Sequence, residues 1–274
     1  MKKIKLTYSP HHNAGDLLNK DLVEKLSGLE VVRTKVFNAD MMAIGGAIFG
    51  LQYSDKAVRR VLQAIMSLIY GRSPIYIWGS GFLYSDNNNG FYRKNIKVCA
   101  LRGEKTKQRL YEITGKLYDV PLADAGLLVD LFLNEKMEKK YKIGLIPHMS
   151  QINEPAIVEM QKNPDVYMID IRRSALEVVK DIAMCETIAS SSLHGLIFAD
   201  SLHIPSLHLI GETVLPGGNF KFEDYYSCYG LQDCPWNLKI EGAPSVSDII
   251  SHCKIDYKQV EKKKKELIEV FPKF

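Results

Sequence analysis

The sequence predicts an α/β protein with two lobes, each organised around a mostly parallel sheet. Short β-rich runs alternate with segments of helical periodicity along the chain, and this alternation is typical of βαβ units. The length of 274 residues is near the size at which one hydrophobic core stops growing and chains divide. A polar stretch at residues 134–140 interrupts the alternation, so we place the boundary between the lobes there.

The first lobe is predicted to span residues 1–133. Its strands are expected at residues 4–8, 31–37, 41–44, 75–78, 96–101 and 117–122. Helices lie between most of these strands, and the clearest runs from residue 55 to residue 70. Large apolar side chains share one face of this helix, and we expect that face to pack into the core. They are Val58, Val61, Leu62, Ile65, Leu68 and Ile69.

The second lobe, residues 134–274, repeats this organisation. Strands are expected at residues 142–146, 166–171, 187–190 and 206–210, and helices at residues 154–161, 174–184 and 196–202. An amphipathic helix at residues 256–271 follows and carries consecutive lysines at 262–265. The lysine run is typical of a solvated helix face, with binding to anionic lipid headgroups as the alternative.

Composition and charge exclude several classes of protein. With 46% hydrophobic and 25% charged residues the chain is typical of a globular protein, and a net charge of +4 is too small to indicate nucleic-acid binding. The five cysteines lack C-x-x-C spacing, and no metal-ligating motif occurs. We find neither a signal-peptide core nor an apolar run long enough to span a membrane. We therefore expect a cytoplasmic protein, either soluble or in contact with the inner face of the membrane.

Polar and glycine residues follow several predicted strands of the first lobe. In an open parallel sheet, ligands bind beyond the carboxyl ends of the strands. Asn13 and Asp16 follow the first strand, where Asp16 is expected to cap the next helix. Gly79 and Gly81 follow the fourth strand, where the missing side chains let backbone amides approach a ligand. Arg102 follows the fifth strand and is either an anion ligand or a partner in a surface ion pair.

The second lobe places histidines at the same kind of position. His148 follows the first strand of this lobe, and Ser191, Ser192, His194 and Gly195 follow the third. A lone loop histidine such as His148 is more often structural than catalytic. His194 is expected just before a helix N-terminus, where free amides and serine hydroxyls favour a phosphate or carboxylate. A bound dianion would raise the pKa of His194, which makes the ring a candidate acid in the ligand-bound state.

A last polar stretch, at residues 216–226, begins with glycines and predicts a mobile loop. Within it Lys221 either reaches an anion or stays solvated. Asp224 is expected to cap the following turn. We treat Lys221 as a candidate anion ligand.

Short motifs occur in a fixed order along most of the chain. In the first lobe they are NAGD at residues 13–16, DMMAIGG at 40–46, WGSG at 78–81, LRGEKT at 101–106 and ADA at 123–125. In the second lobe they are IPH at residues 146–148, SSLHGLIFAD at 191–200 and KFEDY at 221–225. Together these motifs resemble those of the polysaccharide pyruvyl transferase family, and the leucine-histidine-glycine block is the most specific of them.

The resemblance implies transfer of pyruvate from phosphoenolpyruvate to a sugar of a surface polysaccharide or exopolysaccharide, forming a pyruvate ketal and releasing phosphate. It also implies a fold similar to that of GT-B glycosyltransferases, in which two Rossmann-like lobes face a central cleft. The first lobe would then be the sugar-acceptor side and the second the phosphoenolpyruvate side. Phosphoenolpyruvate is the donor substrate, no cofactor is implied, and the acceptor is a carbohydrate that is free or lipid-linked.

The resemblance also suggests roles for individual residues. His194 would be the acid that protonates the methylene carbon, and Asp16 would act on the acceptor side as a base or a hydrogen-bond partner. The residues expected to bind substrate are Arg102, Lys221, His148, Ser191, Ser192, Gly195, Asn13, Gly79 and Gly81. Many members have an arginine directly before the Leu-His pair where this chain has Ser192, so other cations must supply that anion contact.

Two other functions fit the same residues. A glycosyltransferase of the same two-lobe shape would use a nucleotide sugar and place His194 against the diphosphate. A non-catalytic anion-sensing module would bind a metabolite with the same donors. For any sugar acceptor, the loop at residues 86–89 offers hydrogen-bonding groups without indicating which sugar is bound.

Overall fold

The computed structural model describes residues 2–10, 13–85 and 89–274, in which the chain forms two five-stranded sheets. The strands of the first sheet are β1 (Lys3–Leu6), β2 (Glu30–Arg33), β3 (Met41–Met42), β4 (Ile75–Ser80) and β5 (Ile96–Leu101). They lie in the order β2-β1-β3-β4-β5. Of the loop predicted to face a sugar, residues 86–88 lie outside the described residues.

The strands of the second sheet are β6 (Tyr141–Ile146), β7 (Val166–Met168), β8 (Cys185–Ser190), β9 (Ser206–Ile210) and β10 (Trp236–Asn237). They lie in the order β10-β9-β8-β6-β7. All the strand pairs of the two sheets are parallel. The predicted fold class, an α/β protein with two parallel-sheet lobes, is therefore confirmed. The first lobe is the one that contains the first sheet, and the second lobe contains the second sheet.

Helices surround both sheets. They are α1 (Ala14–Ser27), α2 (Ala57–Tyr70), α3 (Glu104–Thr114), α4 (Pro155–Met160), α5 (Ala175–Ala183), α6 (Leu193–Ser201), α7 (Phe220–Ser227), α8 (Leu238–Glu241), α9 (Val246–His252) and α10 (Tyr257–Glu269). Short 3-10 segments lie at Val36–Asn38, Ile48–Leu51 and Ala125–Phe132. Local capping explains several boundaries. Helix α5, for example, starts at a capping box in which Ser174 and Glu177 bond each other's backbone N–H groups.

Three strand predictions were wrong at their ends or altogether, and one strand was missed. The strand predicted at residues 166–171 ends at Met168. Residues 117–122 form no strand, and only Leu122 bridges Leu101 of β5. Pro121 has no N–H to donate to a neighbouring strand, so this run pairs with β5 only at the single bridge beside the end of that strand. The strand predicted at residues 31–37 stops at Arg33, because the chain turns into the 3-10 segment Val36–Asn38. Strand β10 was not predicted, since two residues are too few to show a period of 2.

Helix α2 is placed correctly by the sequence, but the prediction that its apolar face packs into the core is wrong. Its polar side faces the protein instead. Gln63 accepts a hydrogen bond from the Ser54 N–H at 2.8 Å and donates one to the Gln52 carbonyl at 3.1 Å, while the Ser67 hydroxyl donates to the Tyr92 carbonyl. The six large apolar side chains of the opposite side, Val58, Val61, Leu62, Ile65, Leu68 and Ile69, are all exposed.

The largest hydrophobic core joins the two lobes. It contains Leu18 and Trp78 of the first lobe together with Ile146, Ile188 and Phe198 of the second. Helix α1 packs against α5, and the 3-10 segment at residues 125–132 packs against α6. Because apolar side chains from both sheets share one buried cluster, the lobes are held together by packing as well as by the chain.

Helix α10 follows the second sheet in sequence but returns to the first. The indole Nε1 of Trp78 donates to the Leu267 carbonyl at 2.9 Å. The ammonium of Lys264 is buried and bonds Asp130 at 2.9 Å and the Ser201 carbonyl at 2.7 Å. The lysine run is thus not a uniformly solvated face, because Lys264 is a buried link between α10, α6 and the segment at residues 125–132.

Candidate active site

A cavity of about 610 Å³ lies between the two lobes, near the carboxyl ends of several strands. Both lobes line it, as expected for a ligand site in facing parallel sheets. Seven of the residues predicted from the sequence line this cavity together. They are Asn13, Asp16, Arg102, His148, Ser192, His194 and Lys221.

The other four predicted site residues do not line the cavity. Gly79 has φ 74° and packs against Ala125, and a Cβ on it would lie 2.6 Å from the Ala125 nitrogen. Gly81 packs on the Arg102 guanidinium, where a Cβ would lie 2.5 Å from Cζ. Gly195 lets α6 approach Ser190 and Ile146. These glycines allow close packing of the segments around the cavity but do not line it.

Ser191 is likewise a supporting residue. Its hydroxyl accepts a hydrogen bond from the backbone N–H of His148 at 2.9 Å. Ser190 plays a similar part, because its hydroxyl donates to the Ile146 carbonyl and accepts from the Ser192 N–H. Ser190 and Ser191 therefore link the end of β8 to the end of β6 by hydrogen bonds, and Ser190 also fixes the residue before α6.

Asp16 lies in the first turn of α1, close to the cavity. The expectation that Asp16 caps this helix is wrong, because the cap is Asn13, whose Oδ1 accepts from the Gly15 N–H at 3.1 Å. Burial raises the pKa of Asp16 to about 7, although the positive charge of Lys221 lowers it and the negative charge of Asp124 raises it further. Burial therefore favours the protonated carboxyl group at a higher pH than for an ordinary aspartate.

His194 lies inside the first turn of α6 rather than before it, because the helix begins at Leu193. Its side chain is buried, since only 9% of the residue is exposed. Its ring packs directly on Gly15, where a Cβ would find no room. The glycine of the NAGD motif therefore permits the contact between the two lobes at this point.

The hydrogen bonds of His194 define its tautomer. Nδ1 lies 2.9 Å from Asn13 Oδ1, an oxygen that already accepts from the Gly15 N–H, so Nδ1 is the donor. Nε2 is buried and has no hydrogen-bond partner among the described residues. Burial lowers the pKa of His194 to about 3, helped by the positive charges of Lys221 and Arg102. In the ligand-free protein the ring is therefore neutral, with a lone pair on Nε2.

Arg102 is held in place by an ion pair that joins the lobes. Its Nε donates to Asp224 Oδ2 at 2.8 Å, and Nη2 donates to the Phe82 carbonyl at 2.6 Å. Asp224 also accepts from the N–H and the hydroxyl of Thr106 at 2.7 Å each. The expectation that Asp224 caps a turn is wrong, because it lies buried within α7. Nη1 of Arg102 has no partner among the described residues and can bind an anion.

Lys221 lies in the first turn of α7, and its ammonium has no hydrogen bond or ion pair with any described residue. Burial lowers the pKa of Lys221 to about 8, the charge of Arg102 lowers it further, and Asp16 raises it. Burial and the charge of Lys221 lower the pKa of His148 to about 4. A partly buried cation without an ion-pair partner loses hydration that nothing replaces, so this part of the cavity favours an anion.

Helix α6 adds neutral donors to the same wall. Ser192 is its N-cap residue, and its hydroxyl makes no capping hydrogen bond. The backbone N–H groups of Leu193 and His194 belong to the first turn of a helix, where no intrahelical acceptor is available. All three residues line the cavity. Together with Arg102 and Lys221, they give the cavity donors suited to an anion.

Several further residues line the cavity. Gly45 and Gly46, which follow β3 in the DMMAIGG motif, are among them, and Gly45 has φ 91° beside Asp16. Thr7, Tyr8 and Phe49 add an apolar and hydroxyl-bearing surface. The position after β3 marks the two glycines, whereas nothing local marks the other three residues, which the sequence did not predict.

No group of three or more His, Cys, Asp or Glu side chains in residues 2–10, 13–85 and 89–274 is placed to hold a metal ion. Within the same residues, no helix combines the length and apolar character needed to cross a bilayer.

Comparison with known proteins gives consistent matches. A family model described as polysaccharide pyruvyl transferase matches residues 2–211. An uncharacterized protein of Acanthamoeba polyphaga mimivirus is 29% identical over 230 residues, covering 80% of this chain and 72% of that protein. The succinoglycan biosynthesis protein ExoV of Rhizobium meliloti (strain 1021) is 26% identical over 166 residues, covering 59% of this chain and 50% of ExoV.

Among solved structures, a protein described as a UDP-N-acetylglucosamine 2-epimerase of Listeria monocytogenes is similar with a TM-score of 0.49 and 10% sequence identity. That match covers 98% of this chain and 92% of the other.

Proposed function

The chain belongs to the polysaccharide pyruvyl transferase family, and from this premise we propose that it moves pyruvate from phosphoenolpyruvate to two hydroxyls of a polysaccharide sugar. The products are a pyruvate ketal and inorganic phosphate. The observation that carries the proposal is the Lys221 ammonium, which lines the cavity with Arg102 and has no ion-pair partner among the described residues.

The donor set fits phosphoenolpyruvate because this molecule carries a phosphate and a carboxylate on one small carbon frame. Nη1 of Arg102 and the ammonium of Lys221 supply charge-assisted hydrogen bonds. The Leu193 and His194 amides and the Ser192 hydroxyl supply neutral donors at a helix N-terminus. Ser192 replaces the arginine that many members have, so in this chain Lys221 and Arg102 carry the positive charge.

The proton steps involve Asp16 and His194, with roles set by their ligand-free pKa values. Protonated Asp16 gives its proton to the methylene carbon, which leaves an oxocarbenium-like centre at the adjacent carbon. A sugar hydroxyl attacks this carbon, and its proton passes to Nε2 of His194. The bound dianion raises the pKa of His194, which makes Nε2 a better base at this moment. Each positioned acid or base contributes about 100-fold to 10,000-fold.

The second half of the reaction completes the ketal. The bond between the central carbon and the phosphate oxygen breaks, and the phosphate leaves with the proton held by His194. The second sugar hydroxyl then attacks the same carbon, and its proton returns to the Asp16 carboxylate. Asp16 and His194 thereby recover their starting protonation states. This scheme reverses the roles first expected from the sequence, because burial protonates Asp16 and deprotonates His194.

The acceptor side is the wall formed by the first lobe. Asp16, Gly45, Gly46 and Phe49 line it, giving a carboxyl group, backbone donors and an aromatic ring of the kind on which sugars stack. The name of ExoV refers to the biosynthesis of succinoglycan, and by its similarity we propose a polysaccharide or its precursor as acceptor.

The test is phosphate release in mixtures of phosphoenolpyruvate with galactosides, glucosides, mannosides and N-acetylhexosamines. We expect release with at least one acceptor class and a new acid-labile pyruvyl group on the sugar. Phosphoenolpyruvate should bind in calorimetry, and Lys221→Met should raise its Kd about 10-fold to 100-fold, since a charged hydrogen bond is lost. Lys105→Met, which removes a half-exposed lysine outside the cavity, is the matched control.

A different result identifies the alternative. Binding of nucleoside diphosphates together with no detectable binding of phosphoenolpyruvate contradicts the proposal and favours a nucleotide-sugar glycosyltransferase. Binding of phosphoenolpyruvate without phosphate release for any acceptor class also contradicts it and favours an anion-sensing role.

A further inference from the structure

The outward face of α2 is an apolar surface of unusual size for a helix of a globular protein. Val58, Val61, Leu62, Ile65, Leu68 and Ile69 fall within an arc of roughly 120° at 100° per residue. Val58 is 75% and Leu68 81% exposed. Single exposed apolar side chains are common, but a contiguous group of this kind marks an interaction surface. We call these six residues the α2 face.

The helix is oriented so that this face cannot turn inward. Gln63 and Ser67, on the opposite side, hold the helix to the backbone at Gln52, Ser54 and Tyr92. The Tyr70 ring packs on Phe37 with centroids 5.4 Å apart. Turning the apolar face inward would break these contacts and bury the polar side chains, so its exposure is a stable feature of the fold.

The charged residues of α2 and of its two ends, residues 56–72, are all positive. Lys56, Arg59 and Arg60 lie at the start of the helix and Arg72 lies directly after its end, all four are exposed, and residues 56–72 contain no Asp or Glu. None of the four makes an ion pair with a residue described by the structure. An amphipathic helix with large apolar side chains on one side and with cations as its charged residues is typical of helices that lie in a membrane interface.

We propose that the α2 face docks on the surface of a lipid bilayer rich in anionic headgroups. The apolar side chains enter the boundary between headgroups and acyl chains, and the four cations meet the negative surface. A second copy of the chain is a poorer occupant, because a two-fold contact through this face would bring arginines of both copies together with no carboxylate between them.

The docked helix also places the cavity near the bilayer. Helix α2 packs against the 3-10 segment Val36–Asn38, and Val36 lines the cavity. The first lobe, which supplies the acceptor wall, is therefore the lobe that faces the membrane. Given the proposed function, on which this step rests, the arrangement suits an acceptor sugar that is carried on a membrane lipid. Membrane binding itself needs no substrate, so its failure and the failure of the proposed reaction are measured separately.

The test is flotation of the purified protein with vesicles of phosphatidylcholine containing about one third phosphatidylglycerol. Val58→Gln/Leu68→Gln should weaken binding at least 10-fold. Leu117→Gln/Val214→Gln, whose side chains are 82% and 86% exposed elsewhere on the surface, should leave it unchanged. Lys56→Gln/Arg59→Gln should weaken binding about 25-fold, at about 5-fold per cation, and pure phosphatidylcholine should bind poorly.

Hydrogen exchange of the unmodified protein provides a second readout that does not depend on any variant. Vesicles should slow exchange of the amides at residues 57–70 more than elsewhere. Any one of three results would overturn the proposal. The first is equal vesicle binding by Val58→Gln/Leu68→Gln and Leu117→Gln/Val214→Gln, the second is no flotation of the unmodified protein, and the third is unchanged hydrogen exchange in α2. A concentration-dependent dimer that the α2 pair disrupts, seen by sedimentation without vesicle binding, would assign the face to a second copy instead.

Discussion

Asp16 and Lys221 show how burial sets the chemistry of single groups in this cavity. The charge of each favours the ionised form of the other, yet the pKa of Asp16 is raised to about 7 and that of Lys221 is lowered to about 8. Loss of hydration therefore outweighs their mutual attraction at both groups. The cavity favours a neutral carboxyl group and an anionic ligand together, which is the combination that protonation of an enol phosphate requires.

The pH dependence of the reaction follows from these two groups. Both must be protonated, so kcat/KM for phosphoenolpyruvate should fall as pH rises through about 7, where Asp16 loses its proton, and more steeply above about 8, where Lys221 does. Asp16→Asn should lower kcat at least 100-fold and remove the fall in kcat/KM near pH 7. Steady-state kinetics from pH 5.5 to about 9 measure both effects.

Stability provides an independent check on Asp16. Because its pKa is higher in the folded than in the unfolded chain, the folded state binds more protons between about pH 4 and 7, and stability falls as pH rises through this range. Asp16→Asn should remove that loss, which amounts to at most about 4 kcal/mol. Equal pH dependence of the free energy of unfolding in both proteins would contradict a raised pKa for Asp16.

The site residues that sequence reasoning found are those whose position follows from strand order. Asn13, Arg102 and His194 lie in the segments that follow β1, β5 and β8, and parallel strands bring their carboxyl ends to one edge. Asp224 was misassigned because its partners Arg102 and Thr106 lie more than 100 residues away, at separations of 122 and 118. A local pattern cannot report such a partner, whereas a cap is a local event.

At the scale of elements, periodicity located the helices better than it described their surroundings. The spacing of apolar residues in α2 correctly predicted a helix with one apolar face. It could not show which way that face points, because the choice depends on polar contacts of Gln63 and Ser67 with distant backbone. Helix α6 began earlier than expected, at Leu193, since it is buried all round and shows no amphipathic start.

Helix α7 links the lobes through Asp224, and its contribution can be measured. Asp224→Asn removes the charge that neutralises buried Arg102, so the free energy of unfolding should fall by about 3–5 kcal/mol. Glu223→Gln, in the neighbouring half-exposed pair with Lys105, should change it by less than about 1 kcal/mol. Chemical denaturation of the three proteins measures the difference. Similar losses in the free energy of unfolding for Asp224→Asn and Glu223→Gln would show that the buried Arg102–Asp224 pair does not stabilise the contact between the lobes.

At the scale of the whole molecule, the shared core predicts that the two lobes unfold together. Leu267 of α10 is fully buried against the first lobe, and Leu267→Ala should lower stability by about 2–5 kcal/mol. Ile268→Ala, whose side chain is 45% exposed, should cost less than about 1 kcal/mol. Calorimetry should show one transition for each protein. Two separated transitions in the unmodified protein would mean that the lobes are independent.

The return of α10 to Trp78 has a consequence for synthesis on the ribosome. The indole and its acceptor carbonyl are 189 residues apart. At about 5–20 residues per second, translation takes roughly 10–40 s to supply that acceptor after Trp78 has been added. During this interval the nascent first sheet carries an uncovered aromatic surface, which is the kind of surface that chaperones shield. Production of this protein in cells therefore depends on how well that interval is protected.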